Sequence, residues 1–337
     1  MSFIHPTCDL IGVGNPIVDL LARVDDAFLE TVEGAKGGMV LVDAAGLDSL
    51  LARLPESPTL APGGSAGNTT FAATRLGLRC RYLGKTGSDA TGVFYRDRFK
   101  GIGGDPGAFK IAHQANGRCL SLITPDSERT LRTCLGAAVT FLPEEVEAAD
   151  FTGARHAHIE GYLLFNPDLF RAVLAAAKAA GCTVSLDLAS FEVVEATRSF
   201  LPELLASSVD IVFANEEEAA AYFQNDAPPA EHARAFARIC SIGAVKVGKD
   251  GAFIAQGDSL HRVLPVAVER PVDTTGAGDL WAAGFLAAYL RDRPIPDCGA
   301  LASAMGAAVV QQIGSDLPDA IYADLAASFP LGSSTAP

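Results

Sequence analysis

A doubly wound, mainly parallel α/β sheet with helices on both faces is the fold class this sequence predicts, with a small extra β-sheet beside it. Three observations carry the prediction. Short runs rich in Val, Ile and Leu alternate with Ala- and Leu-rich stretches, the rhythm of repeated strand–helix units. Hydrophobic residues make up 49% of the 337-residue chain and charged residues 20%, enough to cover such a sheet on both sides. Two segments, 17–25 and 108–135, break the rhythm. The first has little helical signal and the second is rich in β-formers and turns, so they are expected to pair as the extra sheet.

Taken in order, residues 9–13 read as the first strand. Residues 65–76 read as a helix that Gly77 ends. Residues 81–84 are the next strand. Residues 168–180 form a helix stopped by Gly181, followed by a strand at 183–188. Strands at 210–214 and 244–247 follow, and the apolar stretches 279–290 and 300–312 read as helices. No internal repeat is present. Residues 1–330 are expected to form a single domain, with the extra sheet drawn from about 15–40 and 105–136, and 331–337 are expected to be a flexible tail.

The formal net charge of −14 and the absence of a Lys/Arg-rich run argue against a nucleic-acid partner. No apolar run has membrane-spanning character, and the N-terminus lacks the basic-then-apolar layout of a signal peptide. Seven scattered cysteines without a C-x-x-C pair fit reduced thiols in a cytoplasmic protein.

Three segments carry chemistry. In Asp273-Thr-Thr-Gly-Ala-Gly-Asp279, Gly276 and Gly278 allow a tight turn whose amides converge on one point, and the following helix aims its positive end there. A carboxylate in that first turn suits acceptance of a proton from an attacking hydroxyl. Read alone, the segment is also a helix start with Asp279 complementing the dipole. In Gly63-Gly-Ser-Ala-Gly-Asn68, small residues permit close approach of a ligand, with Ser65 and Asn68 as hydrogen-bonding groups; the alternative is a glycine-rich loop with a cap. Asn215-Glu-Glu-Glu218 follows a strand directly, where ligands gather at carboxyl ends, and suits a hydrated Mg²⁺ or plain helix capping.

Competing motifs fail at named positions, and Pro16 would also disrupt the helix start of a dinucleotide fingerprint. Leu83-Gly-Lys-Thr86 has Arg79 where a phosphate-binding loop requires Gly, and Ile11-Gly-Val-Gly-Asn-Pro-Ile17 lacks the last Gly of a dinucleotide fingerprint. His156-Ala-His158 has metal-like spacing but reads as part of a strand.

Residues 63–77 and 273–285, with Asn215-x-x-Glu218 between them, resemble the two signatures of the ribokinase-like (PfkB) family of carbohydrate and nucleoside kinases, and the resemblance covers nearly the whole chain. It implies a ribokinase-like domain with a β-sheet lid formed by the two irregular segments. It implies ATP and Mg²⁺ as cofactors and transfer of the γ-phosphoryl group to a primary hydroxyl. In that reading Asp279 is the catalytic base, and the amides of Gly276, Ala277 and Gly278 form the anion hole. Asn15, Asp19, Gly64, Ser65 and Asn68 hold the substrate. Asn215, Lys246, Gly248 and Gly251 face the nucleotide, with Glu218 acting on the metal through water. Segments 128–138 and 159–164 look most like the adenosine-kinase-like branch. The acceptor is then a nucleoside or a sugar, the assembly a monomer or a homodimer through the lid. A sugar-phosphate kinase is the alternative, for which Arg129 and Arg132 are the available cations. A non-catalytic nucleotide or sugar sensor is the alternative of another class. Arg132 is expected to be a solvated lid residue.

Overall fold

The computed structural model describes residues 7–329; the predicted tail at 331–337 lies outside them. Fourteen strands follow in chain order among the described residues: β1 (Cys8–Val13), β2 (Ile17–Arg23), β3 (Met39–Leu41), β4 (Thr59–Pro62), β5 (Cys80–Gly87), β6 (Phe109–Ala112), β7 (Gly117–Ile123), β8 (Arg129–Cys134), β9 (Ala154–Glu160), β10 (Thr183–Asp187), β11 (Ile211–Asn215), β12 (Ile242–Lys246), β13 (Ala252–Gln256) and β14 (Ser259–Val263). Nine of them form one sheet in the order β14-β13-β12-β11-β10-β9-β1-β5-β6. From β12 to β6 every neighbouring pair is parallel, and β13 and β14 close the far edge as antiparallel strands.

Both faces of this sheet are buried, as parallel strands require. One face sets Leu10, Ile211, Phe213 and Ile242 against the helices Ser65–Arg75, Ala277–Tyr289 and Ile295–Val309. The opposite face sets Ile11, Val13, Ile159, Val184 and Val212 against the helices Pro167–Ala179 and Pro229–Ile239. The expected strands and helices are all present. The last of the expected helices starts at Ile295 rather than at residue 300, because Pro296 sits in its first turn, where a missing N–H costs nothing.

The extra sheet has five strands in the order β3-β8-β7-β2-β4. Its make-up differs from the expectation at two places. The 108–135 stretch is divided, since β6 pairs with β5 at the edge of the large sheet. In its place β4, from outside either predicted segment, adds antiparallel to β2. Alternation along β2, β7 and β8 separates two faces. Val18, Leu20, Leu120 and Leu122 are buried with Leu29, Val32 and Leu47. Asp19, Leu21, Leu131 and Thr133, on the other face, are only half-buried.

Arg132 corrects an expectation. It lies on the buried face of β8, is 1% exposed, and donates to the carbonyls of Glu33 and Leu131. The alternation of the strand, not the charge of the side chain, decides its direction, and burial lowers its pKa.

Candidate functional site

The parallel strands deliver their last residues to one edge of the sheet. Glu160 ends β9, Asp187 ends β10, Asn215 ends β11 and Lys246 ends β12. Register places Glu160 beside Asp187 and Asn215 beside Lys246. Two loops complete the edge: the turn leading into the helix Ala277–Tyr289, and the turn leading into Ser65–Arg75.

Gly276 has φ +75° and a Cβ there would also meet Ser315, so the first turn demands glycine. Of the three amides expected to form an anion hole, one is already bonded. The amide of Ala277 donates to the Thr274 carbonyl at 3.1 Å, so Gly276 and Gly278 supply the free N–H groups among the described residues. Lys246 joins them: its Nζ stands 3.0 Å from where a Cβ of Gly278 would be, and it donates to Asp187 Oδ2 at 2.9 Å. Burial works against the ammonium, but Asp187 and Glu218 outweigh it and its pKa is raised. The cation therefore stands beside the helix start as a fixed positive charge.

Asp279 is half-buried in the first turn of that helix. Its Oδ1 accepts from Ser65 Oγ at 2.7 Å and its Oδ2 from Asn68 Nδ2 at 2.8 Å. Asn68 Oδ1 in turn accepts from Ser315 Oγ at 2.7 Å. Ser65 and Asn68 thus orient the Asp279 carboxylate. Burial raises the Asp279 pKa to about 6, with Asp187 adding to the rise and the two hydrogen bonds opposing it.

Asp19 lies on the half-buried face of β2, close enough to Asp279 for the two charges to act on one another. No hydrogen bond to its carboxylate is made among the described residues. Burial raises its pKa to about 6, moderated by Arg129. Arg129 is held at 2.7 Å by Asp273 Oδ2 and donates through Nε to Ser121 Oγ. Burial alone would raise Asp273, yet the amides of Gly314 and Thr275 and the Arg129 guanidinium hold it below the usual carboxylate range.

Asn215 and Glu218 form a reciprocal capping box. Asn215 Oδ1 accepts from the Glu218 amide, and the two Glu218 oxygens accept from the Asn215 backbone and side chain. Each Glu218 oxygen thus accepts one hydrogen bond from within the box. Burial, then Asp187, raises the Glu218 pKa. Among the described residues no group of three His, Cys, Asp or Glu side chains is arranged to hold a metal. Gly248 and Gly251, at φ +52° and +96°, bound the turn after β12. That turn lines a cavity of about 320 Å³ with Glu216, Phe253 and Arg262.

Sequence reasoning missed Glu160, Asp187, Ser315 and the Arg129–Asp273 pair. Glu160 and Asp187 did carry a signal: each is an acid closing an apolar strand, at the end where ligands gather. His156 and His158 lie on β9 as expected, bonded to Thr183 and Ser185, and burial keeps both rings neutral with pKa values of about 3 and 4. Lys85 lies within β5 and pairs with Glu145, so the Gly-Lys-Thr run is a strand.

The chain matches the pfkB family of carbohydrate kinases over residues 38–320. It is similar to an ATP-dependent ribose-1-phosphate kinase of Halopiger xanaduensis, 30% identical over 79% of this chain and 86% of the relative. It is also similar to adenosine kinase of Saccharomyces cerevisiae, 26% identical over 93% and 97% of the two chains. Among solved structures, adenosine kinase from Sinorhizobium meliloti superposes with a TM-score of 0.84 at 34% identity, covering 95% of this chain and 99% of its own. Two glycine-rich helix starts meeting at one carboxylate, matched along most of the chain, place this protein in the pfkB family of carbohydrate and nucleoside kinases.

Proposed function

We propose that this kinase transfers the γ-phosphoryl group of ATP directly to a primary hydroxyl of a nucleoside or sugar, with Asp279 as the base. One observation carries the reading: the Asp279 carboxylate is oriented by Ser65 and Asn68 in the same helix turn that presents the Gly276 and Gly278 amides. A hydroxyl beside that carboxylate would lose its proton to Asp279 as the transferred group meets the amides and Lys246. Phosphoryl transfer depends mainly on such positioning and charge stabilisation. Asp19, with its unbonded carboxylate facing the cleft, would accept hydrogen bonds from the acceptor's ring hydroxyls. The cavity beside Gly248 and Gly251 offers room for the nucleoside end of ATP. Mg²⁺, bound with the nucleotide, would supply neutralising charge, and Asn215 and Glu218 would hold its waters.

The similarity to a ribose-1-phosphate kinase favours a second reading, a phosphorylated sugar as acceptor. In the present geometry Arg129 is occupied by Asp273 and Arg132 by backbone carbonyls, so a phosphate would have to draw Arg129 away. ADP release measured with adenosine, other nucleosides, ribose, fructose, ribose 1-phosphate and fructose phosphates separates these readings. Turnover with a free nucleoside or sugar is the expected result. Preference for a phosphorylated sugar selects the second reading. Nucleotide binding without ADP release for any acceptor would leave a sensor in place of an enzyme.

A further inference from the structure

Two arms reach the acceptor side of the cleft. One is the β1–β2 turn, which carries Asn15 and leads to Asp19; the other is the start of the helix Ser65–Arg75, which carries Ser65 and Asn68 and through them holds Asp279. Beside the backbone bond from the Gly63 N–H to the Ile17 carbonyl at 2.8 Å, a single buried side chain bonds to both arms. Glu160, 1% exposed at the end of β9, accepts through Oε1 from the Asn15 backbone N at 2.9 Å and from Asn15 Nδ2 at 2.6 Å. Its Oε2 accepts from the Ala66 amide at 3.0 Å. All three partners are donors and none is a cation, and no ion pair among the described residues includes Glu160.

The surroundings are shaped to this carboxylate. A Cβ on Gly14 would stand 2.2 Å from Glu160 Oε2, so only glycine leaves room for it. A Cβ on Gly64 would stand 2.2 Å from the Asn15 carbonyl, and one on Gly63 would stand 2.7 Å from the Asp19 carboxylate. The β1–β2 turn is therefore seated on the glycine loop, with Glu160 binding both from beneath. A buried carboxylate is costly unless its hydrogen bonds are made, and here they add to the β2–β4 pairing by tying Asn15 to the start of the helix at Ala66.

Resting on the reading of Asp19 and Asp279 as the acceptor site, we infer that Glu160 is a positioning residue: it sets the spacing of the two carboxylates that receive the acceptor while touching neither. Glutamine in its place can still accept from Asn15 through its carbonyl, but its amide would turn donor toward the donor at Ala66. The arms should then drift apart without loss of either carboxylate.

Steady-state kinetics on the full chain test this, using the best acceptor that wild type turns over in the panel above. Glu160→Gln should raise the acceptor KM roughly tenfold, leave the ATP KM within about twofold, and lower kcat at saturating acceptor much less than the KM rises. Asn15→Ala should move the acceptor KM in the same direction. The double variant should resemble the more affected single variant, since both cut one linkage. An unmoved acceptor KM in an active Glu160→Gln variant would overturn the inference. So would a parallel rise in both KM values with a lowered melting temperature, and so would independent, multiplying effects of the two changes. If Glu160→Gln fails to fold, Asn15→Ala decides alone, and an unchanged acceptor KM refutes the role. A wild-type chain that uses no acceptor removes the proposed function and this inference with it; unmoved variants of an active wild type remove the inference only.

Discussion

Asp279 and Asp19 are near neighbours with pKa values raised to about 6, first by burial and then by neighbouring carboxylates. A base must be ionised to act. The rate with acceptor should therefore fall as pH drops through about 6 and level off above it, a profile that kcat/KM against pH would trace. Asp279→Asn keeps the shape of the side chain and removes the proton acceptor. It should cut kcat by roughly 10²–10⁴ while ATP binding persists. Near-normal turnover by that variant would take the base role away from Asp279. Asp19 makes its contribution through ligand contacts. Charge-assisted bonds to hydroxyls are worth about 1.5–3 kcal/mol, so Asp19→Ala should raise the acceptor KM by one to two orders of magnitude and spare the ATP KM. It should also lose discrimination against a deoxy acceptor; a ratio unchanged from wild type would remove Asp19 from the site.

Elements set the next layer. The helix Glu216–Phe223 begins with the Asn215–Glu218 capping box. Glutamine at its third position also reaches back to the cap, so Glu218→Gln should keep the helix and lose the charge. The expected result is a higher Mg²⁺ concentration for half-maximal rate with little change in acceptor KM; an unchanged Mg²⁺ titration would leave Glu218 a cap alone. Between the sheets, Arg129 of β8 grips Asp273 of the loop before the helix Ala277–Tyr289, with side chains 7% and 4% exposed. Removing one partner of such a pair strands a buried charge. Arg129→Met should cost about 3–5 kcal/mol in denaturant unfolding, where a surface pair would cost under about 1 kcal/mol.

At the scale of the whole molecule, the site concentrates acids in an already acidic chain of formal charge −14. Asp19, Glu160, Glu218 and Asp279 all have pKa values above those of the unfolded chain. The native state therefore holds their protons after the unfolded chain has released them, and their contribution to stability declines as pH rises from about 4 to about 7. Asp9, Asp126 and Asp273, all lowered, act in the opposite direction and lose their contribution as pH falls. Asp279→Asn should consequently raise the melting temperature at pH 8 by a few degrees, and raise it less at pH 5, even as activity disappears. Equal shifts at both pH values would show that the Asp279 charge carries no strain. Among the described residues no helix is long and apolar enough to cross a membrane. All seven cysteines are free and buried, and burial pushes up the thiols of Cys8, Cys80, Cys119, Cys182, Cys240 and Cys298.

By itself the sequence determined the α/β class, the order of the main strands and helices, and the two glycine-rich turns that open on Asp279 and Asn68. Those features are local: the period of apolar residues and the φ demanded at Gly64 and Gly276 act over a few neighbouring positions. The tertiary structure alone decided which groups meet. Glu160 reaches Asn15 across 145 residues and Asn68 reaches Asp279 across 211, and both contacts depend on the strand order β9-β1-β5 and on the packing of two helices against that face. The same long-range order turned Ser65 and Asn68 toward Asp279, paired β6 with β5, and buried Arg132. Local pattern states which residues form a strand; only the assembled sheet decides what stands at the end of the next one.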